Sequence, residues 1–90
     1  MHHVYVLECS TSKEKYIGYT TDLKRRIEEH NNHKNKSTAH VSRWKLIYCE
    51  TYTEKMDALG REKFLKSGSG WRFLGKQLRH HLEKNQQDNS

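Results

Sequence analysis

The sequence predicts a small α/β (α+β) sandwich, in which helices flank a three-stranded antiparallel sheet in the order β-β-α-β-α-α. Short runs rich in Val, Ile and Tyr indicate strands, and apolar residues at three- and four-residue spacing indicate helices. The chain has 90 residues and a hydrophobic fraction of 32 %, which suffices for one small core and not for two. A sheet of three strands buries a face only where helices cover it, so the helices must pack on the sheet.

The first half of the chain predicts a hairpin of two strands and then a helix. The runs HVYVLEC and KYIGY are of strand type, and the polar stretch STSKEK between them indicates a turn. Thr20, Thr21 and Asp22 are candidates for the N-cap of a helix that ends near His30. The next stretch, NNHKNKSTAHVSR, is polar and aperiodic, which indicates a loop.

The second half predicts one strand and two helices. WKLIYCET is rich in aromatic and branched residues, as a third strand should be, and TEKMDALGREKFLK indicates a helix that opens near Thr53. The stretch SGSG ends that helix, and the last helix starts near Trp71 with an apolar stripe of Trp71, Leu74, Leu78 and Leu82. We therefore expect one domain over residues 1–82 and, because EKNQQDNS is polar and aperiodic, a disordered tail over residues 83–90.

The charge balance favours a polyanionic partner. Lysine and arginine number 17 against 11 acidic residues, so the formal net charge is +6. Contacts between such a surface and phosphates release counterions, which favours nucleic acid; the alternative is a basic surface that only keeps the protein in solution. No apolar run approaches the ~20 residues of a membrane span, so we expect no membrane association. The sequence gives no indication of a protein partner.

The two cysteines fit a reducing compartment. Cys9 and Cys49 lie in apolar strand-type runs, and two cysteines are too few for a disulfide scaffold. The first residues lack the apolar core of a signal peptide. We therefore expect free, buried thiols and a cytoplasmic protein.

Glu62 occupies an unusual position for a helical carboxylate. Counted from Met56 at about 100° per residue, Glu62 falls at about 240°, inside an apolar arc that runs from about 180° to 300°. The residues of that arc are Ala58, Leu59 and Leu65. A carboxylate aimed at a core is costly unless it is paired or binds a metal. The two candidate explanations are an ion pair with Lys66, one turn on, and a site for a hard cation, since oxygen ligands suit Mg²⁺ or Mn²⁺.

Arg26 and His30 form a second candidate group. They stand four residues apart and share one side of the first helix. Leu23, Ile27 and His30 form its inward stripe, and Arg26 lies at the edge of that stripe. A guanidinium beside a proton carrier suits a phosphodiester site, because it holds and neutralises oxyanions. For His30 taken alone, a capping or core role is an equal alternative.

Two tyrosines and a glycine of the hairpin form a third candidate group. Whether Tyr5 and Tyr16 share a face depends on the hairpin register, and a pairing of Cys9 with Tyr16 places both tyrosines and Gly18 on one face. Gly18 would then leave a notch where another backbone or a phosphate approaches closely. Taken alone, strand tyrosines are ordinary core or rim residues.

Together these residues resemble a known family, the GIY-YIG nuclease superfamily. A tyrosine in the first strand is followed by Tyr-Ile-Gly in the second, and then by Leu-x-x-Arg and Arg-x-x-x-His. The run ALGREKFLK resembles the family's helix with its single metal-binding glutamate. The match covers nearly all of residues 3 to 80. The sequence resembles most the small single-domain bacterial members, which lack an appended DNA-binding module. One departure is that His3 stands where the first motif has glycine.

The resemblance implies a set of site residues. The first motif falls on His3-Val4-Tyr5 and the second on Tyr16-Ile17-Gly18. The resemblance further implies that Arg26 neutralises charge on the phosphoryl oxygens and that Glu62 holds one Mg²⁺ or Mn²⁺ ion. Of the two tyrosines, Tyr5 is the one expected to help activate water, and Tyr16 would orient water or phosphate. His30 would relay a proton or orient a tyrosine hydroxyl.

The function implied by the resemblance is that of a metal-dependent endonuclease, which hydrolyses phosphodiester bonds in DNA, in a structure-specific role in repair or recombination. The alternative is a nucleic-acid-binding module of the same fold with weak or absent catalysis. The basic loop between the first helix and the third strand is the expected contact with nucleic acid. The expected contact residues are Gly18, Lys34, Lys36, Arg43 and Lys66.

Overall fold

The computed structural model describes the backbone of residues 1–34, 38–39 and 43–88, and side chains as far as residue 85. Within these residues the elements are β1 (His2–Cys9), β2 (Lys15–Thr20), α1 (Leu23–Asn31), β3 (Trp44–Tyr52), α2 (Lys55–Leu65), α3 (Gly68–Gln77) and α4 (Arg79–Asp88). The predicted fold class, helices flanking a three-stranded antiparallel sheet, is confirmed. One more helix is present than the sequence predicted.

The central strand of the sheet is β1, with β2 on one side and β3 on the other, both antiparallel to it. Tyr5 lies opposite Gly18, and Leu7 lies opposite Tyr16. This register differs by two residues from a pairing of Cys9 with Tyr16. Because side chains alternate with a period of two, a shift by two residues leaves every side chain on its original face. Tyr5, Tyr16 and Gly18 therefore share a face.

The two faces of the sheet are covered by different helices. On one face, Val4 and Val6 of β1 are fully buried against a cluster that includes side chains of α2 and α3. On the other face, Tyr5 and Leu7 are buried together with Trp44, and partly buried side chains of α1 pack against them. We call these the α2–α3 face and the α1 face.

Helix α1 is fixed at both ends by side chains. Asp22 is its N-cap, with a carboxylate oxygen that accepts a hydrogen bond from the backbone N–H of Arg25 at 3.1 Å. At the other end, the Asn31 side chain bonds both backbone groups of Trp44: its Oδ1 accepts from the N–H at 2.6 Å and its Nδ2 donates to the carbonyl at 3.1 Å. These bonds tie α1 to β3 and set the position of the neighbouring His30.

The turn between α2 and α3 is tight. Helix α3 begins at Gly68, three residues before the predicted start at Trp71, because the Ser67 hydroxyl caps it by accepting from the Gly70 N–H at 3.2 Å. A Cβ on Gly70 would overlap the carbonyl oxygen of Phe64 and the Cα of Leu65. Glycine is therefore required where the two helices meet.

Gly70→Ala is expected to lower the free energy of unfolding by about 1–3 kcal/mol, because the added methyl group meets rigid backbone. Gly75→Ala in the same helix is the matched control. A Cβ there has no neighbouring atom within 4 Å, and alanine is favoured over glycine in a helix interior by about 0.5–1 kcal/mol. Urea unfolding measures the two opposite changes, and a Gly70→Ala variant as stable as the parent would contradict the tight turn.

The C-terminal part of the chain differs from the prediction. The predicted last helix is divided, because Leu78 leaves helical geometry with φ −107° and ψ 25°, and α4 follows as a separate helix. Of the segment predicted to be a disordered tail, residues 83–88 belong instead to α4, and residues 89–90 lie outside the described residues. Hydrogen bonds from His81 and Asn85 to Glu8 hold α4 against β1, and these partners lie too far away in sequence to be foreseen.

Two further observations concern the thiols and the helices. Cys9 and Cys49 are free, the first buried and the second half-buried. Across the part of the chain that the structure describes, no helix combines the length and apolar character needed to cross a membrane.

Candidate active site

Four of the five predicted catalytic side chains meet on the α1 face of the sheet. The hydroxyl of Tyr5 lies 3.0 Å from Nε2 of His30. The ring of Tyr16 packs against His30 with 4.8 Å between centroids, and the two tyrosine rings are 6.3 Å apart. Arg26, one turn before His30 on α1, interacts with the hydroxyl of Tyr5. The hairpin and α1 thus gather two phenols, an imidazole and a guanidinium.

Gly18 makes room for the ring of Tyr5. The two residues lie opposite each other in the sheet, and a Cβ on Gly18 would overlap the hydroxyl and ring of Tyr5. The notch expected at Gly18 therefore exists, but a phenol fills it and leaves no open approach for a phosphate. This corrects the expected role: in this structure Gly18 allows the placement of Tyr5.

His30 is fully buried and has a hydrogen-bond partner at each ring nitrogen. Its Nε2 faces Tyr5, and its Nδ1 lies 2.8 Å from the hydroxyl of Thr38. Burial lowers the pKa of His30, and the positive charge of Arg26 lowers it further. The imidazole is therefore neutral at pH 7 and has one donor and one acceptor nitrogen.

Thr38 is a member of the site that the sequence did not reveal. It is fully buried, although it lies in the polar stretch between α1 and β3, and its carbonyl accepts a hydrogen bond from Nε1 of Trp44 at 3.1 Å. A threonine in an aperiodic polar segment carries no pattern that indicates burial. Only the fold brings it to His30.

The lowered pKa of His30 predicts a pH-dependent stability. In the unfolded chain the imidazole has its ordinary pKa near 6.5 and binds a proton more readily than in the folded protein. His30 therefore stabilises the fold above pH ~6.5, and this contribution is lost as the pH falls toward the folded-state pKa, with a limiting slope of about 1.4 kcal/mol per pH unit. Urea unfolding between pH 7.5 and 5 measures the slope. It should be reduced in His30→Gln and retained in His33→Gln, an exposed histidine; equal slopes in the two variants would contradict the assignment.

The hydroxyl of Tyr5 lacks the properties expected of a base. It is fully buried, and burial raises the pKa of Tyr5 to about 12 even though Arg26 acts in the opposite direction. At neutral pH it is a protonated phenol, and the acceptor within reach is Nε2 of His30. Nδ1 of His30 then carries the imidazole proton and donates to Thr38. This burial argues against Tyr5 as the tyrosine that contacts water.

Tyr16 is the phenol of the pair that reaches the surface. Its side chain is half-buried, and it lies close enough to Arg26 and Tyr5 for electrostatic interaction. Among the residues that the structure describes, the hydroxyl of Tyr16 has no hydrogen-bond partner. A water or phosphate oxygen would therefore meet Tyr16 before Tyr5.

Arg26 is held at the solvent edge of this group. Its guanidinium pairs with Glu29 at 3.1 Å, and 32 % of its side chain is exposed. A guanidinium has five N–H donors, so donors remain for an oxyanion after these contacts. The prediction that Arg26 lies at the edge of the inward stripe is confirmed.

Glu62 lies at the border of the buried face of α2. Its side chain is 20 % exposed, and its negative charge makes a small contribution to the raised pKa of Tyr5, so the carboxylate lies within electrostatic range of that hydroxyl. Ala58 and Leu65 of the predicted apolar arc are fully buried, whereas Met56, the starting point of the count and outside the arc, is 75 % exposed. The ion pair considered for Glu62 is present: Lys66 Nζ lies 3.1 Å from Oε2. Lys66 is 54 % exposed, so the pair is weak and does not prevent a cation from competing.

A second network fixes the helix that carries Glu62. Arg61 forms a bidentate ion pair with Glu50 at 2.8 and 3.1 Å, and its guanidinium stacks over two rings, those of Phe64 and Phe73, at 4.9 and 4.4 Å from the centroids. Tyr48 and Tyr52 donate hydrogen bonds to the same carboxylate. Sequence reasoning missed this network, although its signal was present: Tyr48, Glu50 and Tyr52 alternate along β3 and therefore share a face.

The donors present fit one hard cation that keeps most of its own ligands. Among the described side chains, those of residues 1–34, 38–39 and 43–85, no group of three or more His, Cys, Asp or Glu is placed to hold a metal. The resemblance to the family implies that the protein supplies one carboxylate, that of Glu62. Mg²⁺ commonly binds in this way, with one or two carboxylates, substrate phosphates and several waters.

The predicted contact residues of the basic loop are placed only in part. Lys34 lies three residues beyond the end of α1, with its N–H donating to the Glu29 carbonyl at 3.0 Å, and Arg43 precedes β3; both are exposed. Lys36 lies outside the described residues. Contact of these residues, and of Lys66, with nucleic acid stays a prediction.

Comparison with known proteins identifies the family. Residues 1–71 match the family model of the GIY-YIG catalytic domain. A UPF0213 protein of Halobacterium salinarum is 43 % identical over 67 residues, which cover 73 % of this chain and 86 % of that protein. A UPF0213 protein of Staphylococcus epidermidis is 39 % identical over 67 residues, with 73 % and 80 % covered.

A solved structure gives the same result. The solution NMR structure of a UPF0213 protein from Bacillus halodurans superposes with a TM-score of 0.52 and 33 % sequence identity, covering 83 % of this chain and 82 % of that one. The strands and helices that carry Tyr5, Tyr16, Arg26 and Glu62 all lie within the range matched by the family model. The chain belongs to the GIY-YIG family and has the nuclease fold of that family.

Proposed function

We propose that the protein is an endonuclease that depends on one divalent metal ion and hydrolyses phosphodiester bonds in DNA. The observation that supports this most directly is the convergence of Tyr5, Tyr16, Arg26 and His30 on the α1 face, with the charge of Glu62 acting on Tyr5. A site with two phenols, a guanidinium and one carboxylate has the groups needed to bind a phosphodiester and orient a water. The net charge of +6 favours the approach of a polyanion.

Each side chain has a distinct part in this proposal. Glu62 would hold Mg²⁺ or Mn²⁺, which when bound would offset negative charge on the phosphoryl and leaving oxygens. Arg26 would donate to the phosphoryl oxygens, where charge grows in the transition state. Tyr16 would contact the attacking water, because its hydroxyl is the accessible one. Tyr5 and His30 would not contact the substrate. As a buried, hydrogen-bonded pair they would hold Arg26 and Tyr16 in place.

The biological setting that we propose is repair or recombination of DNA in the cytoplasm. The charged side chains that we expect to contact DNA are arginine and lysine, which bind phosphates and thereby position a protein without reading bases, so selectivity would come from the shape of the DNA. Branched DNA is therefore the preferred candidate substrate. Two free cysteines suit a reducing compartment.

The second candidate is a nucleic-acid-binding module of the same fold without useful catalysis. Two observations favour it: Glu62 is already paired with Lys66 at 3.1 Å, and Tyr5 is a buried phenol with a pKa of about 12. Under this alternative the protein binds DNA and leaves it intact with every metal.

The two candidates are separated by incubating the protein with branched, single-stranded and duplex DNA, and with matched RNA, in Mg²⁺, Mn²⁺ or EDTA. The expected result is cleavage of branched DNA with either metal and none in EDTA. Glu62→Ala, prepared in parallel, controls for a contaminating nuclease. Binding without cleavage on every substrate would favour the module, and preferential cleavage of RNA would overturn the assignment to DNA.

A further inference from the structure

A second polar pocket lies on the opposite face of the sheet from the tyrosine cluster. Glu8 follows Val4 and Val6 at the two-residue period of β1, so its side chain is on the α2–α3 face, where α4 packs. The pocket has a volume of about 230 Å³ and lies between the end of the sheet and α4. It is lined by Glu8, Ser10, Lys13, Lys45, His81, Lys84 and Asn85. We call it the α4 pocket.

Three lysines from three separate parts of the chain converge on this pocket. Lys13 comes from the turn between β1 and β2, Lys45 from β3 and Lys84 from α4. Among the side chains that the structure describes, none of these ammonium groups pairs with a carboxylate, and Lys13 donates only to the backbone carbonyl of Ser10, at 2.9 Å. Three positive charges on the lining of one pocket favour the approach of an anion.

The single carboxylate of the pocket is already neutralised. Glu8 is 3 % exposed, and one of its oxygens lies 3.1 Å from Nζ of Lys15. The other oxygen accepts a hydrogen bond from Asn85 at 3.1 Å and lies 2.9 Å from Nε2 of His81. The three lining lysines therefore leave an excess of positive charge. That excess excludes a metal cation and favours a compact anion with several negatively charged oxygens.

We propose that the α4 pocket is a phosphate-binding site. A phosphate group has acceptor oxygens on all sides, so it can meet ammonium groups that approach from different elements, and lysine is a common phosphate ligand as a point charge. The bound group is either a phosphodiester of the nucleic-acid backbone or a free or terminal phosphate. Because Lys84 is on α4 and Lys45 is on the sheet, the anion bridges the last helix to β3.

The direct test is a titration of isotope-labelled protein with inorganic phosphate, followed by NMR and compared with chloride at equal ionic strength. Saturable shifts at Lys45, His81 and Lys84 are expected with phosphate and not with chloride. Bridging of α4 to the sheet also predicts slower hydrogen exchange in α4 when phosphate is bound. Equal shifts with both salts, or unchanged exchange in α4, would overturn the proposal.

A pair of charge-matched triple variants separates a local site from net charge. Alanine at Lys13, Lys45 and Lys84 is expected to weaken phosphate binding by about tenfold or more, since each lysine supplies a charge-assisted contact. The control carries alanine at three exposed lysines outside both sites, Lys24, Lys55 and Lys76, and should bind as the parent does. Equal weakening in the two triple variants would show a general charge effect and contradict a pocket. Thermal unfolding of both confirms that they are folded.

Binding of oligonucleotides distinguishes the two sources of phosphate. If backbone phosphodiesters occupy the pocket, the slope of log K against log salt falls by about one for each pocket lysine removed and is unchanged in the control. If a terminal phosphate occupies it, the triple variant of the pocket lysines binds oligonucleotides with a 5′ phosphate more weakly than the parent does, and binds those without one equally well. These measurements use Glu62→Gln protein without metal, so a failure to cleave DNA leaves this test intact. If the triple variant of the pocket lysines keeps both the affinity and the salt dependence of the parent, both sources are excluded.

Discussion

Glu62→Gln is expected to reduce cleavage by on the order of 10³-fold or more, because Glu62 is the single carboxylate proposed to hold the metal. Glutamine has nearly the same shape and removes only the charge. The fold should be retained, since the pair that Glu62 makes with the half-exposed Lys66 contributes no more than about 1 kcal/mol. The loss would therefore be one of chemistry rather than of structure.

Mn²⁺ binding measured without DNA provides the independent readout for Glu62. Glu62→Gln should lose the Mn²⁺ affinity of the parent. Lys66→Met should gain affinity, because the ammonium 3.1 Å from Oε2 no longer competes for the carboxylate. If Glu62→Gln binds Mn²⁺ and cleaves as the parent does, the metal site is elsewhere and the proposed role of Glu62 is wrong.

Tyr16→Phe is expected to lower kcat by about 10²–10⁴-fold, the range for a positioned proton-transfer group, with little change in stability. Its hydroxyl has no partner among the described residues, so the phenylalanine leaves no buried group unsatisfied. Tyr5→Phe should behave differently. It deprives buried Nε2 of His30 of its partner, which costs about 1–3 kcal/mol of stability, and it lowers the rate only through the positions of Arg26 and Tyr16.

The two tyrosine variants are compared at a temperature at which both are folded, as judged by circular dichroism. The rate at saturating DNA and the Tm are measured for each. A larger rate loss in Tyr5→Phe than in Tyr16→Phe would restore Tyr5 as the tyrosine that activates water. It would also mean that the buried hydroxyl becomes accessible when DNA binds.

Much of this site was available from the sequence because it depends on local periodicity. The three- and four-residue spacing along α1 placed His30 inward and Arg26 at the edge, and both positions are found in the structure. The sequence left open whether Tyr5, Tyr16 and Gly18 share a face, because that depends on the hairpin register; the observed register places them on one face and lies two residues from the pairing that was considered. Asp22, one of three N-cap candidates named from residue type and position, is the cap in the structure.

Other properties of the same residues depend on which distant segments cover them. The pKa of Tyr5 is raised to about 12 because α1 and β2 enclose it, and His30 is bonded to Thr38, a residue in an aperiodic segment. The bidentate pair of Arg61 with Glu50 and the contact of α4 with Glu8 join residues that are neighbours only in space.

By itself, the sequence determined the fold class and which side chains share a face within one helix or strand, because periodicity is a local property of each element. The tertiary structure alone decided that Tyr5, Tyr16 and Gly18 share a face, which tyrosine is accessible and which lysines line the α4 pocket. Burial and electrostatic interaction are sums over all neighbours in space, and most of those neighbours are remote in the chain.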